Sequence, residues 1–265
     1  MVSIITINFN NKSGLIKTLN SIISQTCKEF EWIIIDGGST DGSKELIENY
    51  SEYIDYWVSE PDNGIYHAMN KGIKIATGNY LQFLNSGDYF DNNHVLEKFK
   101  KYAYNEDIIY GNAIIVNEND EEISRFIAPN NIKLSYFWSH TLNHQATFFK
   151  KKCFERFLYN ENNKIASDVE LYMQLIYNGY SFQKINEFIV CYDNSGISNQ
   201  IKTGEFTKVI NNILPPAILA DYTEFIAFRD IDLAIMIRKI ISSKRIIRHI
   251  TRVLLYPIYF ISRKI

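Results

Sequence analysis

Three aspartates stand among small residues where a buried strand should end or a helix begin: Asp36 in DGGSTDGS, Asp88 in LNSGD and Asp168 in ASDVELYMQL. A carboxylate in the first setting can accept hydrogen bonds from a uracil N–H or a ribose hydroxyl, and the adjoining glycines, Gly38 among them, let a ligand approach the backbone. The same residues also suit a plain βα turn in which Asp41 or Ser43 caps the next helix. The spacing is not the GxGxxG dinucleotide pattern. In LNSGD a tight turn accounts for Asn85, Ser86 and Gly87 but not for a lone acid on the lip of a buried strand. Asp168, at a helix start, can cap free backbone N–H groups. A fourth stretch, EPDNGIYHAMNKG, is a turn feeding a helix that carries Asn70 and Lys71, with Asp62 or Asn63 available as its cap. His67 has no second histidine at i+4 and is not expected to ligate a metal.

The elements that must position these groups alternate as strand and helix from residue 2 to about 116. VSIITINF is rich in β-branched residues, Leu15, Leu19, Ile22 and Ile23 recur at helical spacing, and EWIIIDGG supplies a second strand. SKELIENY reads as a helix, YWVSE as a short strand, and Ile65, Met69, Ile73 and Ala76 as the buried face of another helix. YLQFL, a helix through Val95, Leu96, Phe99 and Tyr102, and the strand DIIYGNAIIV complete the run. This order predicts a mostly parallel sheet covered on both faces, with ligands beyond the carboxyl ends of its strands. Asn8 to Asn11, Asp36 to Ser39 and Asn85 to Asp88 all fall at such ends. From 117 to 200 the pattern is less regular, with a strand starting near Gln145, a helix over ASDVELYMQLIYNG and a strand at SFQKINEFIVCY. Pro215-Pro216 should break a helical region.

SIITINFNNKSGLIKTLNSIISQT, EWIIIDGGSTDGS and SEPDNGIYHAMNKGIKIATGNYLQFLNSGD, in that order, resemble the nucleotide-sugar-binding half of the inverting family 2 glycosyltransferases. The resemblance extends over about residues 2 to 200. It implies a Rossmann-like α/β fold of the GT-A type, with a nucleotide-sugar half (1–116), an acceptor half (117–200) and a helical C-terminal appendage (201–265). It also implies a sugar transfer from a nucleotide donor, most simply a UDP-sugar, to a glycan or lipid-linked acceptor in bacterial cell-surface polysaccharide assembly.

Carried onto this chain, the resemblance implies that Thr6, Asn8 and Asn10 line the base and ribose pocket and that Asp36, with Gly38 and Ser39, meets the uracil. Gly37 stands where the family's common DDGS form has a second acid. Asp62, Asn70 and Lys71 become contacts to ribose, diphosphate or sugar. LNSGD takes the place of the metal motif, with Asn85 where the first acid belongs, Ser86 beside the donor and Asp88 as the ligand to Mg²⁺ or Mn²⁺. Asp168 matches the catalytic base, and His144 and Gln145 a segment close to sugar and acceptor. Gly196 and Ser198, in SGIS, match a loop near the diphosphate. Two rival readings, a metal-dependent nucleotidyltransferase of sugar phosphates and a non-catalytic glycan-binding protein, lack respectively a Gly-rich basic phosphate loop and a need for both Asp88 and Asp168.

Composition sets outer bounds. The chain has 265 residues, 46% of them hydrophobic, and its three cysteines are far apart without metal or disulfide spacing, which suits a reducing cytoplasm. The N-terminus reads as a core strand rather than a signal peptide, and no apolar run reaches the roughly 18 residues of a membrane span. The net charge of −2 hides a split: after Asp232 the chain carries +8 and no acid, leaving −10 before it. Basic and apolar residues alternate at helical intervals over residues 233–265. This composition suits a helix lying at the inner, anionic face of the cell membrane; a helix packed on the catalytic domain is the other reading. No nucleic-acid partner is expected.

Overall fold

The computed structural model describes residues 1–102, 106–194 and 204–230, with side chains described as far as residue 224. The SGIS loop with Gly196 and Ser198, and the basic segment from 233, lie outside the described residues. Two compact units are present, Met1–Ile213 and Leu214–Ile265.

The first unit is a curled, mostly parallel α/β sheet flanked by helices. Its strands are β1 (Val2–Asn8), β2 (Phe30–Asp36), β3 (Tyr56–Ser59), β4 (Tyr80–Phe83), β5 (Tyr89–Phe90), β6 (Ile108–Val116), β7 (Glu122–Phe126), β8 (Thr147–Lys150) and β9 (Phe182–Asp193). They lie in the order β3-β2-β1-β4-β8-β6-β9-β5, with β7 added to β6. The first four are all parallel. β8 runs antiparallel between β4 and β6, and β6 pairs in parallel with β9. The carboxyl ends of β1, β2, β3, β4 and β9 and the start of β8 therefore share one edge.

The pattern of buried residues explains the parallel half. Every residue of β1 is buried, as expected for a strand with helices on both faces. Helix α1 (Lys12–Ile23) buries Leu15, Leu19 and Ile22, and α2 (Ser43–Asn49) buries Ile47. Helix α3 (Ile65–Ile75) lies so close to β1 that a Cβ at Gly72 would come within 2.5 Å of Ile5 Cγ2. The glycine of NKG thus serves helix-to-sheet packing. α4 (Val95–Lys100) buries Val95, Leu96 and Phe99, and Phe99 stacks on Phe148 of β8 at 3.9 Å between ring centroids.

Two strands fall where the sequence pattern suggests none. β7, EISRF, is exposed along most of its length, and β5 has only two residues, so neither carries a buried apolar run. α5 (Cys153–Arg156) and α6 (Ser167–Tyr177) follow β8, and α7 (Glu205–Ile213) closes the unit. In the second unit α8 (Pro216–Asp230) begins at the proline pair, Pro216 occupying the first turn, where its missing N–H costs nothing. Among the described residues no helix is long and apolar enough to cross a membrane.

Candidate active site

Asp36 closes β2 and is fully buried. Its Oδ1 accepts from Asn8 Nδ2 at 2.7 Å and from the Ser39 hydroxyl at 2.6 Å, and its Oδ2 from Ser39 N at 2.9 Å and the Ser59 hydroxyl at 2.6 Å. Burial alone would push this carboxyl up, but the bonds from Ser39, Ser59 and Asn8 outweigh it and hold the pKa below the ordinary value. Asp36 thus ties together the ends of β1, β2 and β3. Asn10 sits in the left-handed region, φ 48°, where its N–H reaches the Ser39 hydroxyl at 2.7 Å and its Oδ1 takes the Thr40 N–H. Thr6 lies in the core, accepting from the Trp32 indole at 3.0 Å. Gly37 and Gly38 are approached by the protein's own next turn: a Cβ on Gly37 would lie 2.7 Å from Asp62 Oδ2, and one on Gly38, whose φ is +80°, 3.1 Å from Pro61 N.

The LNSGD turn is set by helix α1. The Thr18 hydroxyl donates to Asp88 O at 2.7 Å and accepts from Gly87 N at 3.1 Å, while Asn11, the N-cap of α1, donates to Ser86 O at 2.9 Å. Asp88 is buried, which raises its carboxyl to about 8; the charge of Asp193 adds to the rise, whereas the Asp193 N–H and the Gln145 side chain oppose it. The Asp193 N–H meets Asp88 Oδ1 at 3.0 Å, and its own Oδ2 lies 3.6 Å from the place of a Cβ on Gly87. Asn85 Oδ1 is buried with no hydrogen-bond partner. Asp88 and the partnerless Asn85 Oδ1 are hard-oxygen donors of the kind that Mg²⁺ or Mn²⁺ take, with Asp193 bonded to Asp88 through its N–H. Among the described residues no three His, Cys, Asp or Glu side chains converge to hold a metal by themselves.

Asp168 lies in the first turn of α6, largely buried as a residue and with Oδ1 buried and unpartnered. Burial raises its pKa to about 6, against the pull of the Val169 and Asp168 N–H groups and the Tyr66 hydroxyl. His144, just before β8, is buried, stacks on Phe83 at 5.0 Å and shares a hydrogen bond with the Tyr159 hydroxyl. Burial pushes its pKa down to about 3, so it is neutral. Asn70 clasps the same segment, its Nδ2 donating to Tyr159 O and Glu161 and its Oδ1 accepting from Tyr159 N. Lys71 pairs with Glu60 at 2.6 Å.

Asn85, His144, Gln145 and Asp168 line one cleft of about 340 Å³, whose remaining wall is largely apolar, including Met69, Leu142 and Phe206. A larger cleft of about 550 Å³ lies at the opposite edge, beside Met1, Tyr80 and Lys150–Lys152, away from these groups. Lys100 and Lys152 there are paired with Glu29 and Asp107.

Several contributors had no signal in the sequence. Thr18 is one small residue of an amphipathic helix, Asp193 ends a strand, and Tyr66 and Tyr159 look like core aromatics; each acts through a partner far along the chain.

Residues 3–169 match the family model described as glycosyl transferase family 2. A PGL/p-HBAD biosynthesis glycosyltransferase of Mycobacterium tuberculosis is 28% identical over 222 residues, covering 78% of this chain and 83% of that protein. Glycosyltransferase GlyA of Streptococcus pneumoniae is 33% identical over 123 residues, 45% of this chain and 18% of its own. Among solved structures, S. aureus TarS 1–349 in complex with UDP-GlcNAc superposes with a TM-score of 0.65 at 18% identity, over 80% of this chain and 65% of that one. A mannosyltransferase from Pyrobaculum calidifontis in complex with GDP-Man and Mn²⁺ gives 0.55 at 18% identity, over 70% and 55%.

Proposed function

Since the chain belongs to glycosyl transferase family 2 and has the GT-A fold, we propose that it moves a sugar, with inversion, from a UDP-sugar to a hydroxyl of a glycan or lipid-linked acceptor in cell-surface polysaccharide synthesis. The observation that carries this reading is the meeting of Asn85, Gln145 and Asp168 in one cleft at the carboxyl edge of the sheet. The UDP-GlcNAc and GDP-Man complexes of the fold relatives support a nucleotide-sugar donor.

In this reading Asp168 takes the proton of the acceptor hydroxyl as that oxygen bonds to the anomeric carbon and the bond from that carbon to the diphosphate oxygen breaks. Attack from the face opposite the diphosphate inverts the centre. A base poised near pH 6 is ionised at neutral pH yet still basic enough to help, a contribution of roughly 10² to 10⁴ in rate. Neutral His144, locked by Phe83 and Tyr159, and Asn70, through its clasp on Tyr159, shape the acceptor wall. Asn8, Asn10 and Ser39 shape the nucleoside side around Asp36, with Thr6 beneath, and Ser86 and Lys71 flank the donor. Asp88, Asp193 and Asn85 would hold the divalent cation, which when bound neutralises charge on the departing diphosphate. Residues 1–200 form the catalytic domain, and residues 233–265 place it at an anionic membrane surface.

The test is release of UDP from a panel of UDP-sugars, with and without Mn²⁺. Turnover should need the metal and be lost in Asp168→Asn while UDP binding persists. A wild-type protein that binds no nucleotide and releases none would overturn the reading.

A further inference from the structure

Asp36 stands at the end of β2, where the proposed reading seats the nucleoside. A carboxylate has room for about four hydrogen bonds, and Asp36 already makes four, all to protein groups, while fully buried. It has no lone pair left to read a base. The next position is Gly37, which has no side chain at all. The space that a side chain there would enter belongs to Asp62: a Cβ at 37 would lie 2.7 Å from Asp62 Oδ2 and 3.1 Å from Phe9 Cδ2. Asp62 Oδ1 is fixed by the Gly64 N–H at 2.8 Å, which orients the carboxylate and aims Oδ2 at Gly37. Phe9, at the carboxyl end of β1, is 64% exposed, an aromatic face left bare beside an acid.

Resting on the nucleotide-sugar reading, we infer that Asp62, from the turn before α3, reads the nucleobase in this protein by accepting the uracil N3–H, with Phe9 as the apolar neighbour of the ring. Asp36 is then a positioning residue that fixes the pocket floor. The absence of an acid at 37 is what admits the carboxylate from 62. Cytosine, which has an acceptor rather than an N–H at N3, meets two opposed acceptors and is disfavoured.

Calorimetric titration of the full chain with UDP and CDP, each with Mn²⁺, tests this. The wild type should prefer UDP. Asp62→Asn keeps an oxygen for the Gly64 N–H and turns an amide N–H toward the base; it should bind UDP about tenfold or more weaker, the scale of a hydrogen bond to a charged group, and lose the preference over CDP. Gly37→Asp should weaken UDP by crowding Asp62, and Gly37→Asp with Asp62→Ala should recover UDP binding over either single variant. Unchanged UDP affinity and UDP/CDP preference in Asp62→Asn would sink the inference while leaving the transferase reading intact; failure of the wild type to bind either nucleotide would instead strike the reading beneath it.

Discussion

At the scale of single residues, the consequence most open to measurement is the basicity of Asp168. Burial raises its pKa to about 6, so below that pH it holds a proton and cannot accept one from an acceptor hydroxyl. The sign is therefore fixed: kcat/KM should climb about tenfold per pH unit up to about pH 6 and level off above it. A flat profile between pH 5 and 8 would remove Asp168 from the role of base. Asp88 and Asp168 were visible in the sequence because an acid at a strand lip or helix start stands out against small or apolar neighbours. Asp193 was not, because what brings it to the site is one backbone N–H bonded to a carboxylate 105 residues away. The accounting around Asp36 and Asp62 was equally hidden. Sequence spacing shows which acids sit at strand ends but not which have spent their lone pairs.

Helix α1 contributes more than a packed face. The Thr18 hydroxyl takes the Gly87 N–H and donates to Asp88 O, inside a helix whose other buried side chains are apolar. Thr18→Val keeps the shape but strands these groups, and urea unfolding should show a loss of about 1–3 kcal/mol, with weaker Mn²⁺-dependent UDP binding. A loss below about 0.5 kcal/mol, the scale of an ordinary surface change, would mean the turn holds its shape without the helix. Elements of this kind were legible in the parallel half, where β1 and β2 are rich in isoleucine and other apolar residues and α1 and α3 repeat at helical spacing. β5 and β7 escaped because an edge strand or a two-residue strand buries too little to leave a periodic trace.

For the molecule as a whole, the uneven charge is the feature with the widest reach. The +8 carried after Asp232 follows 232 residues carrying −10, a distribution suited to a body repelled by an anionic surface and an end attracted to it. Deleting residues 233–265 should abolish sedimentation with anionic vesicles and leave binding of UDP unchanged; undiminished sedimentation would mean the attachment lies elsewhere. The antiparallel course of β8 has its own bearing on how such a chain can diversify. Because this strand starts at the edge where β1, β2 and β4 finish, the stretch leading into it can lengthen, shorten or be exchanged without shifting any parallel register. On the proposed reading that stretch borders the acceptor, so grafting it between relatives should change the acceptor used and leave UDP binding unaltered.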